Sequence, residues 1–331
     1  MRIVHRVLQI GIPIACACLF AAQARAAAQP SQACPSINRK QAATSEAKCY
    51  SLERAGLTRT FRIYMPHGQQ GLMPLVLVLH GGGGTAGNME WVTKRGFNRI
   101  ADRESAVIVY PDGIGKGWND GRTDLKSKSV KNQVDDLGYL RSLVHELAVQ
   151  FPVDAKRVYA TGISNGGLMS YRLACDATDV FAAVAPVAAG MSAELAPHCK
   201  PERPVSIAIL NGRDDPIMPW DGGPIKILWS ARGVVLSAQA TATRWTELNR
   251  CGDLRDEGSP LDSVKDDGTS VVERTAHCAQ GTEVRLYEVR GGGHTWPGGE
   301  PYLGERLVGQ VSREIDANDV IWQFFKQHRL P

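Results

Sequence analysis

The sequence predicts an α/β fold with a mostly parallel central sheet and helices on both faces, and three observations carry that prediction. Short apolar runs recur along the chain, and several are continuous, as strands buried on both faces of a parallel sheet must be. Segments of helical periodicity lie between them. Gly-rich stretches fall just past several of the apolar runs, where a sheet hands over to its loops.

Residues 1–26 stand apart from that pattern. Arg2 and Arg6 precede an apolar run over 7–22, and Ala24-Arg25-Ala26 offers small residues just ahead of Ala27. That is the form of a secretory signal peptide cleaved before Ala27. The run is short for a bilayer span, and the residues before Cys16 and Cys18 match a lipoprotein signal poorly. No repeat or Pro/Ser-rich linker interrupts the remainder, so residues 27–331 are expected to form a single exported catalytic domain.

Within it, 60–65 alternates as a strand with one polar face, and 75–79 is continuously apolar. Strands are expected again at 106–110, 158–161, 182–187, 205–210 and 284–289. The clearest helix spans 137–151, where Leu137, Leu140, Leu143, Val144 and Leu147 share a face and Asp135 or Asp136 caps the start. A helix over 168–174 follows the fourth of these strands. The last helix begins at the cap Asp316 and buries Val320, Ile321, Phe324 and Phe325. The stretch 113–133, rich in Gly, Lys, Asn and Asp, reads as a long irregular loop, either bordering an active site or making a surface excursion. The lysines and arginines of 121–131 read as solvated.

Between the strand at 158–161 and the helix at 168–174 stands Gly162-Ile163-Ser164-Asn165-Gly166. A serine with glycine at both second neighbours, on a strand-to-helix turn, is the nucleophile elbow of an α/β-hydrolase fold. The turn is so tight that side chains at the glycines would collide with adjacent elements. Serine is a weak nucleophile at its free pKa and needs a base, and the base needs an orienting group. In this fold they follow in the order serine, acid, histidine. The acid lies in Arg213-Asp214-Asp215-Pro216. Asp215 is favoured over Asp214 because the following proline biases it to extended backbone. The base is His294, in Gly291-Gly292-Gly293-His294-Thr295-Trp296, directly after the last strand. His80-Gly81-Gly82-Gly83-Gly84 follows the strand at 75–79, where the second oxyanion donor belongs, so Gly82 or Gly83 would act with the N–H of Asn165. His80 is read as supporting this loop. Trp118, Trp220 and Trp296 sit in loops near these motifs and are candidates to line the substrate site, with packing beneath the loops the open alternative for Trp118 and the favoured one for Trp296.

Composition limits the alternatives. Losing Arg2, Arg6 and Arg25 takes the formal charge from +4 to +1, which gives no electrostatic reason to bind nucleic acid or an anionic membrane. Cys34, Cys49, Cys175, Cys199, Cys251 and Cys278 read as three disulfides in an exported protein. The sequential pairing Cys34–Cys49, Cys175–Cys199, Cys251–Cys278 is preferred because each bridge staples a local connection, although other pairings are open. His198-Cys199 and His277-Cys278 raise a metal site, but no C-x-x-C spacing accompanies them, so no metal is expected. The glycine run at 81–84 lacks the G-K-[ST] of a phosphate loop. A monomer acting on an ester without a cofactor is the expectation.

With these residues in place, the chain resembles secreted carboxylesterases of the polyhydroxybutyrate depolymerase and feruloyl esterase-like family, within the α/β-hydrolase superfamily. The likeness rests on Leu79-His80-Gly81-Gly82-Gly83, Tyr110-Pro111-Asp112-Gly113, Gly162-Ile163-Ser164-Asn165-Gly166-Gly167, Asp215-Pro216-Ile217 and Gly293-His294-Thr295-Trp296-Pro297-Gly298. The resemblance implies a Ser164–Asp215–His294 triad and hydrolysis of carboxylic esters through an acyl-enzyme. Many extracellular polyester depolymerases add a linker and a polymer-binding module, and neither is visible here. Soluble oligoesters or plant hydroxycinnamate esters therefore suit this domain at least as well as solid polymer. An acyltransferase or a serine peptidase would use the same triad. A non-catalytic binding protein on a hydrolase scaffold is disfavoured because such proteins usually lose a triad member.

Overall fold

Continuous apolar runs become the inner strands of a ten-stranded sheet in the computed structural model. It describes residues 47–68, 71–123, 126–227, 230–265 and 267–331, so the segment 1–26 and Cys34 lie outside the described residues. In chain order the strands are β1 (Lys48–Arg54), β2 (Leu57–Tyr64), β3 (Met73–Leu79), β4 (Val107–Pro111), β5 (Val153–Ile163), β6 (Ala183–Val187), β7 (Ser206–Gly212), β8 (Gly223–Ile227), β9 (Ser230–Val235), β10 (Arg255–Asp256), β11 (Ser270–His277) and β12 (Glu283–Arg290). The helices are α1 (Ala86–Val92), α2 (Gly96–Glu104), α3 (Lys128–Lys131), α4 (Asp136–Gln150), α5 (Asn165–Asp176), α6 (Ala238–Asn249), α7 (Glu305–Val308) and α8 (Ala317–Phe325).

The order across the sheet is β1-β2-β4-β3-β5-β6-β7-β12-β11-β10. Strands β4, β3, β5, β6, β7 and β12 run parallel, and antiparallel strands flank them on both sides. β8 and β9 form a separate hairpin. Each expected strand is present, and β5 starts earlier than its apolar run. Its first residues after Val153 are partly or fully exposed, so they carry no continuous apolar signal.

Alternation along β3 divides the core. Leu75, Leu77 and Leu79 pack with Leu140 and Leu143 of α4, Leu168 of α5 and Trp245 of α6. Val76 and Val78 face the other way, with Met89 of α1, Phe97 of α2 and Phe324 of α8. Both faces of the sheet are thus covered, and each fully buried aliphatic side chain contributes about 1.5–3 kcal/mol. Asp135, the first of the two expected cap residues, caps α4 by accepting from the N–H of Gly138 at 2.7 Å. Asp136 instead turns inward and pairs with buried Arg59 at 2.6 Å.

Disulfides join Cys175 to Cys199 and Cys251 to Cys278. Cys49 is disulfide-bonded as well. Cys199 and Cys278 are therefore not available as metal-binding thiolates. Among the described residues, no helix is long and apolar enough to cross a membrane.

Candidate active site

Parallel strands in register deliver their loops to one edge of the sheet. Leu79 at the end of β3 pairs with Gly162 of β5, and Gly212 at the end of β7 pairs with Val289 of β12. The loops bearing His80, Ser164, Asp215 and His294 consequently leave from the same edge, where open α/β sheets place their ligands.

Ser164 occupies the turn from β5 into α5 with φ 56° and ψ −118°. Such a conformation costs a non-glycine residue on the order of 1–3 kcal/mol and persists where its surroundings enforce it. The enforcement is visible. A Cβ on Gly162 would come within 2.7 Å of the Leu79 carbonyl oxygen, and one on Gly166 within 2.7 Å of the His80 carbonyl oxygen. The N–H of Ser164 donates to the carbonyl of Val187 at 2.9 Å, fixing the elbow to β6. Ser164 remains partly exposed at the turn.

Of the two neighbouring carboxylates, Asp215 reaches the histidine: its Oδ2 lies 2.7 Å from His294 Nδ1. Its Oδ1 accepts the N–H groups of Ile217 and Met218, each at 2.7 Å, so the carboxylate is held by the turn that Pro216 begins. Asp214 is exposed. His294 and Asp215 are both buried, so their mutual bond is little screened by water. Tyr302 donates its O–H to the carbonyl of His294 at 2.7 Å. Burial, with the Asp215 carboxylate near, pushes that phenol well above its usual pKa, so it stays a neutral donor.

The oxyanion candidates separate. The N–H of Gly83 is engaged by the carbonyl of Lys116 at 2.7 Å. Gly82 is exposed, and a Cβ there would meet the Cβ of Asn165 at 3.8 Å. Gly82 therefore adjoins Asn165, whose N–H opens α5 and is among the donors a helix start leaves without an intrahelical partner. His80 is buried, and burial lowers its pKa. Its Nε2 accepts the N–H of Gly113 at 3.0 Å, so the ring proton sits on Nδ1, 2.7 Å from the Gly81 carbonyl. His80 braces the glycine loop, as expected.

The three tryptophans do not form a substrate wall. Trp118 and Trp296 are each 0% exposed, and Trp220 is 6% exposed. Trp296 packs edge-on against Phe97 in the core, and Trp220 lies under the guanidinium of Arg213. The indole N–H of Trp118 donates to the carbonyl of His80 at 2.9 Å. Aromatic rings with a partner or a core to fill were taken up by both. The expectation of a solvated basic loop also fails at Arg122, which is buried and paired through its Nη2 with buried Asp120 at 2.7 Å. Sequence reasoning missed that pair because a Gly/Asn-rich loop reads as solvated, although a cue was available in an acid and an arginine two residues apart near a tryptophan.

A parallel sheet with this strand order, a strained serine elbow and an acid–histidine pair at its carboxyl edge define an α/β-hydrolase. A solved acetyl xylan esterase from Aspergillus awamori superposes with a TM-score of 0.54 at 13% identity, covering 85% of this chain and 99% of that one. The sequence model of the esterase PHB depolymerase family matches residues 59–198. The putative esterase NocK of Nocardia uniformis subsp. tsuyamanensis is 32% identical over 301 residues, covering 87% of this chain and 85% of NocK. Feruloyl esterase B of Piromyces equi is 27% identical over 78% of this chain, which spans only 42% of that relative's length. The chain belongs to the esterase PHB depolymerase family, and it is a carboxylic ester hydrolase.

Proposed function

We propose that this esterase is exported and works as a serine hydrolase through Ser164, His294 and Asp215, on soluble hydroxyacid oligoesters or hydroxycinnamate esters. The observation that carries the reading is the 2.7 Å His294–Asp215 pair leaving the same sheet edge as the strained serine elbow. Because Nδ1 of His294 faces Asp215, Nε2 is the nitrogen left for the serine. Ser164 Oγ attacks the ester carbonyl carbon and its proton passes to Nε2. The resulting oxyanion is met by the N–H groups of Gly82 and Asn165. Collapse breaks the ester C–O bond, and His294 returns the proton to the departing alcohol. Water then attacks the acyl-enzyme with the same proton relay, releasing the acid and regenerating Ser164.

The substrate class draws on the family and on relatives named as feruloyl esterases. Export, with a single catalytic domain over 27–331, draws on the leader-like residues 1–26 and on the disulfides, which suit an oxidising compartment. Expressed with its own N-terminus, the active protein should be recovered from the exported fraction beginning at Ala27. Ser164→Ala should lower turnover of p-nitrophenyl butyrate by at least about 10⁴-fold with an unchanged circular dichroism spectrum. Retained activity in that variant would remove the mechanism. A panel of methyl ferulate, hydroxybutyrate oligomers and insoluble polyester identifies the ester, and preference for the insoluble polymer would overturn the substrate assignment.

A further inference from the structure

We infer that Trp118 is a positioning residue that ties the two halves of the oxyanion hole together, an inference that rests on the serine-hydrolase reading above. Those halves come from different loops: Gly82 follows β3, and Asn165 follows β5. An oxyanion hole acts only if its donors are fixed before charge develops, so something must set their separation. Trp118 touches both sides. Its indole N–H donates to the carbonyl of His80 at 2.9 Å, and its ring lies against the His80 imidazole with centroids 4.9 Å apart. Its backbone holds the other side: the N–H donates to Asn165 Oδ1 at 2.7 Å, and Asn165 Nδ2 donates back to the Trp118 carbonyl at 3.2 Å.

The bridge is itself anchored. Asn165 Nδ2 also donates to Asp120 Oδ2 at 2.5 Å, and the Asp120 carboxylate is gripped by Arg122 through Nε and Nη2. Nη1 of Arg122 donates to the carbonyl of Arg232 in β9 of the β8–β9 hairpin. On the glycine side, the same loop supplies the Lys116 carbonyl to Gly83 and the Gly113 N–H to His80. Residues 113–122 are therefore a clamp with its jaws on the two oxyanion loops and Trp118 at the pivot. The side chain of Asn165, one residue past the nucleophile, orients its own helix-opening N–H through this clamp. Trp118 touches no reacting atom; it acts through the donors it positions.

The test is Trp118→Phe, which keeps the aromatic ring and removes the bond to His80. A misplaced donor weakens the transition state more than the ground state, so kcat on p-nitrophenyl butyrate should fall about 10–100-fold with KM changed less than about threefold. A trifluoromethyl ketone, whose carbonyl carbon bonds Ser164 Oγ as the serine proton passes to His294 Nε2 and leaves a hemiketal oxyanion in the hole, should lose affinity by a matching factor. The product carboxylic acid should bind as before. If Trp118→Phe does not fold, Asn165→Ala cuts the other jaw and should show the same split. The inference is overturned if a soluble, folded variant keeps its kcat, if its loss falls in KM alone, or if ketone affinity is unchanged. Ser164→Ala assayed in parallel separates the two ideas. Activity in Ser164→Ala defeats the serine mechanism, whereas an inactive Ser164→Ala beside an unimpaired Trp118→Phe defeats only the clamp.

Discussion

The two halves of the site leave the same sheet edge but are held there by different means. The elbow half, Ser164 with the glycine loop, is tied by side chains: Trp118, Asn165, Asp120, Arg122 and His80 form one buried hydrogen-bonded chain. The acid–histidine half is tied mostly by backbone. The N–H of Asp214 donates to Gly292 and that of Gly293 to Gln310. Gly212, Gly292, Gly293 and Gly309 press together so closely that a Cβ on Gly293 would sit 2.6 Å from the carbonyl carbon of Gly309. The contrast teaches where each half is fragile. Beyond the tight Gly162 and Gly166 of the elbow itself, the first half depends on a network of buried polar side chains, whereas the second depends, apart from the Asp215–His294 bond, on glycines that leave no room for a methyl group.

The largest effect should come from the acid–histidine bond of the backbone-held half. Asp215→Asn keeps the shape but can no longer stabilise the imidazolium, and kcat should fall about 10⁴-fold. Asp214→Asn, one residue away and exposed, should change kcat less than about threefold. A comparable loss at both positions would show that the acid is not fixed by the Asp215 turn. Next in size is the methyl test. Gly293→Ala has backbone on all sides and should lose about 3 kcal/mol, lowering Tm by roughly 5–10 °C. Gly82→Ala, in the elbow half, meets its nearest neighbour at 3.8 Å and should leave Tm within about 2 °C. Equal drops in thermal scans would erase the distinction between the halves.

The same contrast explains how much the sequence disclosed. The inner parallel strands were legible because burial on both faces leaves a continuous apolar run, as in β3 and β7. The flanking β1 and β10 were not, because their exposed residues carry no such run. In the site, motif spacing marked Ser164, Asp215 and His294, since glycine and proline punctuate those turns. It could not decide between Gly82 and Gly83, because the carbonyl that engages Gly83 belongs to Lys116 in another loop. Arg122 was misread, and Trp118 left undecided, for a similar reason. A tryptophan or an arginine in a Gly/Asn-rich loop looks exposed until its partner is known, and the Asn165 that meets Trp118 lies 47 residues away.

The smallest predicted effect sharpens the comparison from a region in neither half. His328 is 7% exposed and packs edge-on against Phe324, with Nε2 3.9 Å from Glu283 Oε2. Burial lowers its pKa to about 4, against a pull upward from Glu283 and a further push down from Arg285. The unfolded chain takes up a proton at His328 near the ordinary value of 6.5, whereas the folded chain does not until about 4. Stability from this group is thus fully present above about pH 6.5 and lost as pH falls toward about 4, on the order of 3 kcal/mol in total. His80, in the elbow half, is shifted in the same direction by burial and contributes with the same sign, but it cannot be replaced without disturbing the glycine loop. His328→Leu isolates the other share. The Tyr159 hydroxyl donates to the backbone carbonyl of residue 328, so that bond survives the substitution. Denaturant unfolding between pH 7 and 5 should show a stability slope shallower in His328→Leu than in the wild type by up to about 1.4 kcal/mol per pH unit, with kcat at pH 8 unaltered. An unchanged slope would show that His328 carries none of the acid sensitivity.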